Sequence, residues 1–567
     1  MNRKNLTAAV LAGLAGVAGI AGTAQAVNMN PDGLGQVLLY PYYTANDGNQ
    51  TILSVVNTTS NAKAVKVRFL EGFNSREVLD FNLYLSEYDV WVAAITANDE
   101  GGAKLLIPDT SCTVPYLYAM GGEQDFLDLA FTGGFADDGP QDMGRVAEGH
   151  FEMIEMGTLT GEAEKNVTHE ADGSGGMRVP HDCAALTTWW TDFGVNPPTG
   201  EGIWYEEAVS NSDCDPYPLS GDIDDIMFEG CQATEYTARN SGGLFGAAAV
   251  VNANQGTMYS YDAKALQGFD DSDEGIHFIP GTIFPSLNSG NISTSWVFFG
   301  VPQNSAEDLV FANTVDAVSS VFMHDTLMNE YATGGIANGA TEWVITFPTK
   351  NFYADWWRMC EVGLVSEADC TGDPDADPVV PPTYEARAPF TYLFGEVDSD
   401  DNPLCETVSL KTWDREEDTF MSTTPGNPIR PPVVSPSLPA CDDADDPRCR
   451  PGEAPFQICN EVNVLRFGDN ALFGTPGFDE GSLLLSVEDE FEAGWGRLTF
   501  TGANAVSGLE ADNGVNLLGL PVTGFAAYKL ENGFVESEMG TVQAYYGGLF
   551  GHKGNVRATS GPEFDVD

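Results

Sequence analysis

Alternation with a period of two is the feature that most limits what this chain can become. Residues 36–43 and 51–57 are runs suited to strands, and Thr58-Thr59-Ser60-Asn61 then supplies turn chemistry. In residues 64–70, Val65, Val67 and Phe69 alternate with Lys66 and Arg68; in residues 78–85, Leu79, Phe81, Leu83 and Leu85 alternate with Asp80, Asn82 and Tyr84. Residues 89–95 (DVWVAAI) complete the set. A strand turns successive side chains to opposite faces, so this pattern predicts antiparallel strands with one face in a core and the other toward water. Strands recurring every 10–14 residues or so suggest a sandwich of two sheets.

The order strand, Asn-Thr-Thr turn (57–59), strand, Glu71-Gly72 turn, strand, Tyr88-Asp89, strand resembles an immunoglobulin-like module of exported proteins. The resemblance implies an architecture and no chemistry. The whole chain is expected to be mainly β, with several antiparallel β-sandwich (immunoglobulin-like) units, long Gly/Pro-rich loops and a few short helices. After a leader over 1–26, the sandwich is assigned to 27–115 and an irregular, disulfide-containing insertion to 116–235, with a short helix over 124–131. A second β-rich domain covers 236–424: strands at 243–252, 257–266, 294–301, 342–347, 389–396 and 405–413, and helices over 316–331 and 354–365. Residues 425–458 are dense in proline (Pro425, Pro428, Pro431, Pro432, Pro436 and Pro439 among them), which excludes helix and central strand and predicts a stapled surface loop. Residues 459–567 return to strands at 462–467, 482–487, 495–501, 524–530 and 541–546.

Arg3 and Lys4, the apolar stretch 6–20 and Ala24-Gln25-Ala26 have the three parts of a secretory leader, whose cleavage would leave Val27 first. No later stretch is long and apolar enough for a membrane helix, so no integral membrane segment is expected after cleavage. Ten cysteines follow the leader, an even number that reads as disulfides in an exported chain. Proximity pairs them as Cys112–Cys183, Cys214–Cys231, Cys360–Cys370, Cys405–Cys459 and Cys441–Cys449. No Cys-x-x-Cys or Cys/His cluster with zinc spacing competes with that reading.

Eighty-four acidic residues stand against 25 basic ones, a formal net charge of -59. Such a balance excludes phosphate-backbone recognition, which needs clustered Lys and Arg, and so argues against nucleic acid as a partner. It repels itself in dilute buffer and is tolerated where salt shortens the screening length, to about 3 Å at 1 M. The composition is similar to that of surface-layer and adhesive proteins. Acidic stretches around Asp270, Asp271 and Asp273, around Asp373, Asp375 and Asp377, and around Asp398 and Asp400 are candidate Ca2+ ligands, since calcium takes six to eight oxygens. None has the spacing of an EF-hand loop, and a chain this acidic also produces such stretches by composition alone. Trp189, Trp190, Trp356 and Trp357 are candidate platforms for a sugar ring or a protein partner.

Catalytic signatures are missing from the sequence: no zincin helix, Gly-x-Ser-x-Gly elbow, Walker loop or dinucleotide fingerprint is present. His324-Asp325 reads as a polar pair near a helix surface. The expectation is therefore a bacterial protein that is secreted, periplasmic or at the cell surface, structural or adhesive and non-enzymatic, calcium-stabilised, with self-assembly or cell-surface and glycan contacts. The competing expectation is a secreted carbohydrate-binding or carbohydrate-degrading protein that uses exposed tryptophans and a carboxylate pair.

Overall fold

The computed structural model describes residues 26–171, 178–190, 202–209, 232–299, 306–334, 338–366, 369–370, 384–399, 404–415, 454–467, 471–474, 482–485, 492–500, 508–537 and 540–559. It is mainly β, with several antiparallel sheets and a few short helices. Two sheets face each other in the N-terminal half. The larger has eight strands, with Glu148–Leu159 between Val37–Thr44 and Lys63–Glu71, and Glu77–Leu85 and Cys112–Val114 beyond. The smaller has six, in the order Thr257–Asp262, Leu244–Asn252, Asn49–Asn57, Val90–Ala97, Ala103–Leu106 and Glu123–Asp125. Between them lies a core that includes Val65, Val67, Phe69, Phe151, Val55, Trp91 and Val250, with Tyr40 stacked on Phe151 at 4.1 Å.

These sheets ignore the boundaries read from the sequence at 115/116 and 235/236. The twelve-residue strand Glu148–Leu159, expected to lie in an irregular insertion, is central to the eight-stranded sheet. Residues beyond 236 supply two strands of the six-stranded sheet and two, Thr237–Ala238 and Lys264–Gln267, of the larger. Closing a long loop costs little more than closing a shorter one, so sequence distance is a weak guide to strand partners. Three element assignments also change. Residues 316–331 split into a helix, Thr314–Ser320, and a strand, Thr326–Ala332, because Leu327 and Tyr331 alternate inward in a sheet. Residues 124–131 contain the end of a strand and a short 3-10 turn, and residues 389–396 form turns. The helix over 354–365 is shorter, Trp356–Glu361, and starts where the Asp355 carboxylate accepts from the N–H groups of Trp357 and Arg358.

The second face of the eight-stranded sheet is also buried. Lys66 and Arg68, expected toward water, are buried, with the segment around residues 278–284 lying against Lys66 and its partner Asp80. Lys66 pairs with Asp80 and donates to the Thr282 carbonyl at 2.7 Å. Arg68 donates to Glu77 and to Glu152, both at 2.7 Å. Lys63 pairs with Glu155 at 2.6 Å, and neither side chain has exposed surface. At the end of the strand, Arg145 donates to Glu71, Asp137, Asn74 and the Pro140 carbonyl, between the rings of Phe73 and Phe131. Glu71 accepts in turn from the N–H groups of Phe73, Asn74 and Arg76. The alternation predicted strands correctly; the charges on their second face are sealed because each meets a counter-charge.

Two five-stranded sheets dominate the C-terminal half, with smaller two- and three-stranded sheets beside them. One centres on Ala340–Thr346, between Val462–Phe467 and Thr523–Ser537. Its Val344, Val464 and Phe525 join the first core beside Tyr42, Tyr259 and Tyr261. Its opposite face, Trp343, Ile345, Leu465 and Phe467, packs in a second core with Leu410 and Leu498 of the other five-stranded sheet, which contains Glu406–Asp414, Ala493–Thr499 and Thr326–Ala332. Disulfides join Cys112 to Cys183, Cys360 to Cys370 and Cys405 to Cys459, as proximity suggested. Cys214, Cys231, Cys441, Cys449 and the proline-dense stretch up to residue 453 lie outside the described residues. No helix among the described residues is long and apolar enough to cross a membrane.

Two outcomes follow for stability. Arg145→Met keeps the side-chain length but leaves the buried Glu71 without its cation and the half-buried Asp137 with Arg76 alone; urea unfolding should show a loss of about 3–5 kcal/mol. His150 is 1% exposed and both its ring nitrogens lack a partner. Burial, with Arg68 nearby, pushes it down from 6.5 to about 3. The unfolded chain then binds a proton that the folded one refuses, so this residue removes stability as pH falls from 6.5 towards 3. His150→Leu should match or exceed the parent at pH 7, relieving a desolvation cost of about 1–3 kcal/mol. In acid it should lessen the decline in stability by about 1.4 kcal/mol per pH unit, read as unfolding free energy against pH. An unchanged slope would show that His150 is protonated in the folded state.

Candidate functional site

Strand alternation places a pair of tryptophans on the outside of the C-terminal half. In Glu406–Asp414, Val408, Leu410 and Thr412 are buried, so Lys411 and Trp413 take the opposite face. Ala493–Thr499 repeats the motif in the reverse direction, with Leu498 buried and Trp495 and Arg497 on the same outer face. The antiparallel register sets Trp413 opposite Trp495 and Lys411 opposite Arg497. The next strand sets Glu330 opposite Trp495 and Met328 opposite Arg497, and Lys553 lies opposite Met328. One row is thus aromatic with a carboxylate at its edge, and the next carries three cations.

The two indoles stack at 4.1 Å with 7° between their planes. The Lys411 ammonium lies 5.1 Å from the Trp413 ring centroid, and the Arg497 guanidinium carbon 5.4 Å. Aromatic stacking contributes about 0.5–1.5 kcal/mol and an exposed cation–π contact about 0.5–1 kcal/mol. Like charges directly opposite on a sheet oppose each other, and the indole faces beside them offset part of that repulsion. Trp495 remains 38% exposed. Two glycines permit the arrangement. A Cβ on Gly494 would lie 1.8 Å from the Trp413 carbonyl oxygen, and one on Gly496 3.0 Å from Trp343 beneath. The result is a rigid, partly apolar surface with positive groups beside it, suited to a ring-shaped ligand that carries negative charge.

The tryptophans singled out by the sequence are elsewhere and have other partners. Both pairs sit on helices, Cys183–Trp190 and Trp356–Glu361, where neighbouring side chains are about 100° apart and do not alternate across a strand. Trp190 has no exposed surface, which removes it as a platform: its indole N–H donates to the Tyr84 hydroxyl at 2.7 Å, in a cluster with Trp204 and His277. Trp189 is half-buried and stacks on Tyr236. Trp357, also half-buried, donates to Glu361 at 2.7 Å, and Trp356 lies against Tyr384. Lys411-x-Trp413 and Trp495-x-Arg497 were readable as mirror-image strand motifs, but their pairing across about 80 residues was not.

The candidate calcium ligands do not come together among the described residues. Asp270 is buried, and its carboxylate accepts from Asn240 and Ser272. Asp273 pairs with Arg239 at 2.9 Å, and Asp271 and Asp398 are half-buried. Asp373, Asp375, Asp377 and Asp400 lie outside the described residues. No group of three or more His, Cys, Asp or Glu side chains placed to hold a metal is present among the described residues. His324 lies in a short strand and not on a helix; its Nδ1 is 2.8 Å from the Phe322 carbonyl, while Asp325 pairs with Arg557. No family model matches this sequence, no curated protein matches it, and no solved structure matches its fold.

Proposed function

We propose that this is an exported, non-catalytic adhesive protein that holds acidic polysaccharide on its Trp413–Trp495 face. One observation carries the reading: a stacked, partly exposed indole pair lies beside three cations in a chain whose net charge is -59. Sugar rings present apolar faces that pack on indoles, and their carboxylates take charge-assisted hydrogen bonds from Lys and Arg. The leader-like N-terminus and the three disulfides among the described residues support an oxidising location outside the cytosol. Acidic surface elsewhere keeps an anionic polymer from spreading over the molecule, so binding concentrates on this face.

Isothermal titration with polygalacturonate, and with dextran as the neutral control, tests the binding. The parent should bind the uronic-acid polymer, and Trp495→Ala should weaken it by about tenfold or more. Lys411→Gln should weaken it less and reduce its salt dependence. Binding that ignores both substitutions, or no binding to the charged polymer, removes the reading. Protease added to intact cells of the native host should degrade the protein; full protection would remove the adhesive role.

A further inference from the structure

The six-stranded sheet turns one face into the first core and the other outward. On the outward face of its four longest strands, Ile52, Val90, Val92, Phe245 and Met258 are each at least 36% exposed. Asp262, at one edge, is the only charged residue among the outward positions of those strands. At the opposite edge Lys104 is paired with Glu123 at 2.7 Å. The centre is small and flat: Ser54 lies between Val92 and Ala247, and Ile52 between Ala94 and Ala249. In a chain with 84 acidic residues, an uncharged sheet face with a charged rim has the anatomy of an interface core.

We infer that this face stacks on the same face of a second copy, forming a two-fold dimer. Two considerations select that occupant. Copies that each carry a charge of -59 repel wherever acidic surfaces meet, and least where neither presents charge. A basic partner would gain nothing from this face and would be drawn to the acidic ones. The area also suffices. Its four longest strands, of 9, 9, 8 and 6 residues at about 3.4 Å each and about 4.8 Å apart, cover roughly 520 Å². Two such faces bury about 1,000 Å², about the least area that a specific interface needs. Small central side chains let the sheets approach to about 10 Å, the ordinary separation of stacked sheets. An identical patch on each copy is self-complementary, so a two-fold contact through it closes at two copies.

Sedimentation equilibrium of the mature protein tests this inference independently of the glycan reading. At micromolar concentration the parent should have twice the mass of one chain, and added NaCl should tighten the dimer as repulsion is screened. Ile52→Glu puts a buried charge on each side of the two-fold contact and should weaken the dimer by about 50-fold or more, with an unchanged melting curve. Val92→Lys should do the same and carries the test if Ile52→Glu fails to fold. A monomer at every concentration and salt would overturn the inference, as would a dimer that neither substitution weakens.

Discussion

Taking Lys66, Arg68 and Arg145 out of water costs several kcal/mol each, a penalty recovered only when every charge meets a counter-charge and the remaining donors find acceptors. Here they do. Arg145 reaches two carboxylates, an amide oxygen and a carbonyl, while Arg68 bridges Glu77 and Glu152. Burial alone would push Glu77 up, but Arg68 and Lys66 hold it below the ordinary carboxylate value. The layer lets one sheet be covered on both faces. Through it the N-terminal sandwich and the C-terminal half become adjoining parts of one structure, with Glu342 and Arg466 forming a similar pair at 2.7 Å where Val344 and Phe525 reach the first core.

Holding bases inside changes the outside. Among the described residues, Lys63, Lys66, Arg68, Arg145, Lys350 and Arg358 are buried, in a chain with only 25 Lys and Arg. Lys63, Arg68 and Arg145 occupy buried acid as well, but acids outnumber bases more than threefold in the chain, so the surplus left for the surface is strongly negative. Against that background two surfaces differ physically from the rest. One concentrates cations beside stacked indoles; the other is a sheet face without charge at its centre. Long-range repulsion disfavours casual association, so contacts are confined to places where it is locally relieved.

Local chemistry was legible in the sequence. Strands at Glu77–Leu85, Val462–Phe467 and Glu406–Asp414 sit close to where alternation placed them. The three described disulfides join the cysteines that proximity paired, two of them across modest separations of 10 and 54 residues. The helix around Trp356 was legible too. What failed depended on partners distant in the chain. Glu148–Leu159 carries Glu148, His150 and Glu152 on one face and reads as a polar, irregular stretch until the counter-ions from other strands are in place. Thr326–Ala332 fits a helix by local apolar spacing, and its pairing with Ala493–Thr499 makes it a strand.

The amino-acid sequence by itself determined a β-rich, cross-linked, acidic chain with a leader-like beginning, because period-two alternation, cysteine spacing and charge balance are local or additive properties. Only the tertiary structure decided which polar faces are sealed, which aromatic residues reach the surface, and which strands share a sheet. Those outcomes turn on pairings across tens to hundreds of residues. A lysine in a strand looks the same on paper whether it meets water or a buried carboxylate, and only the arrival of that carboxylate from elsewhere in the chain separates the two.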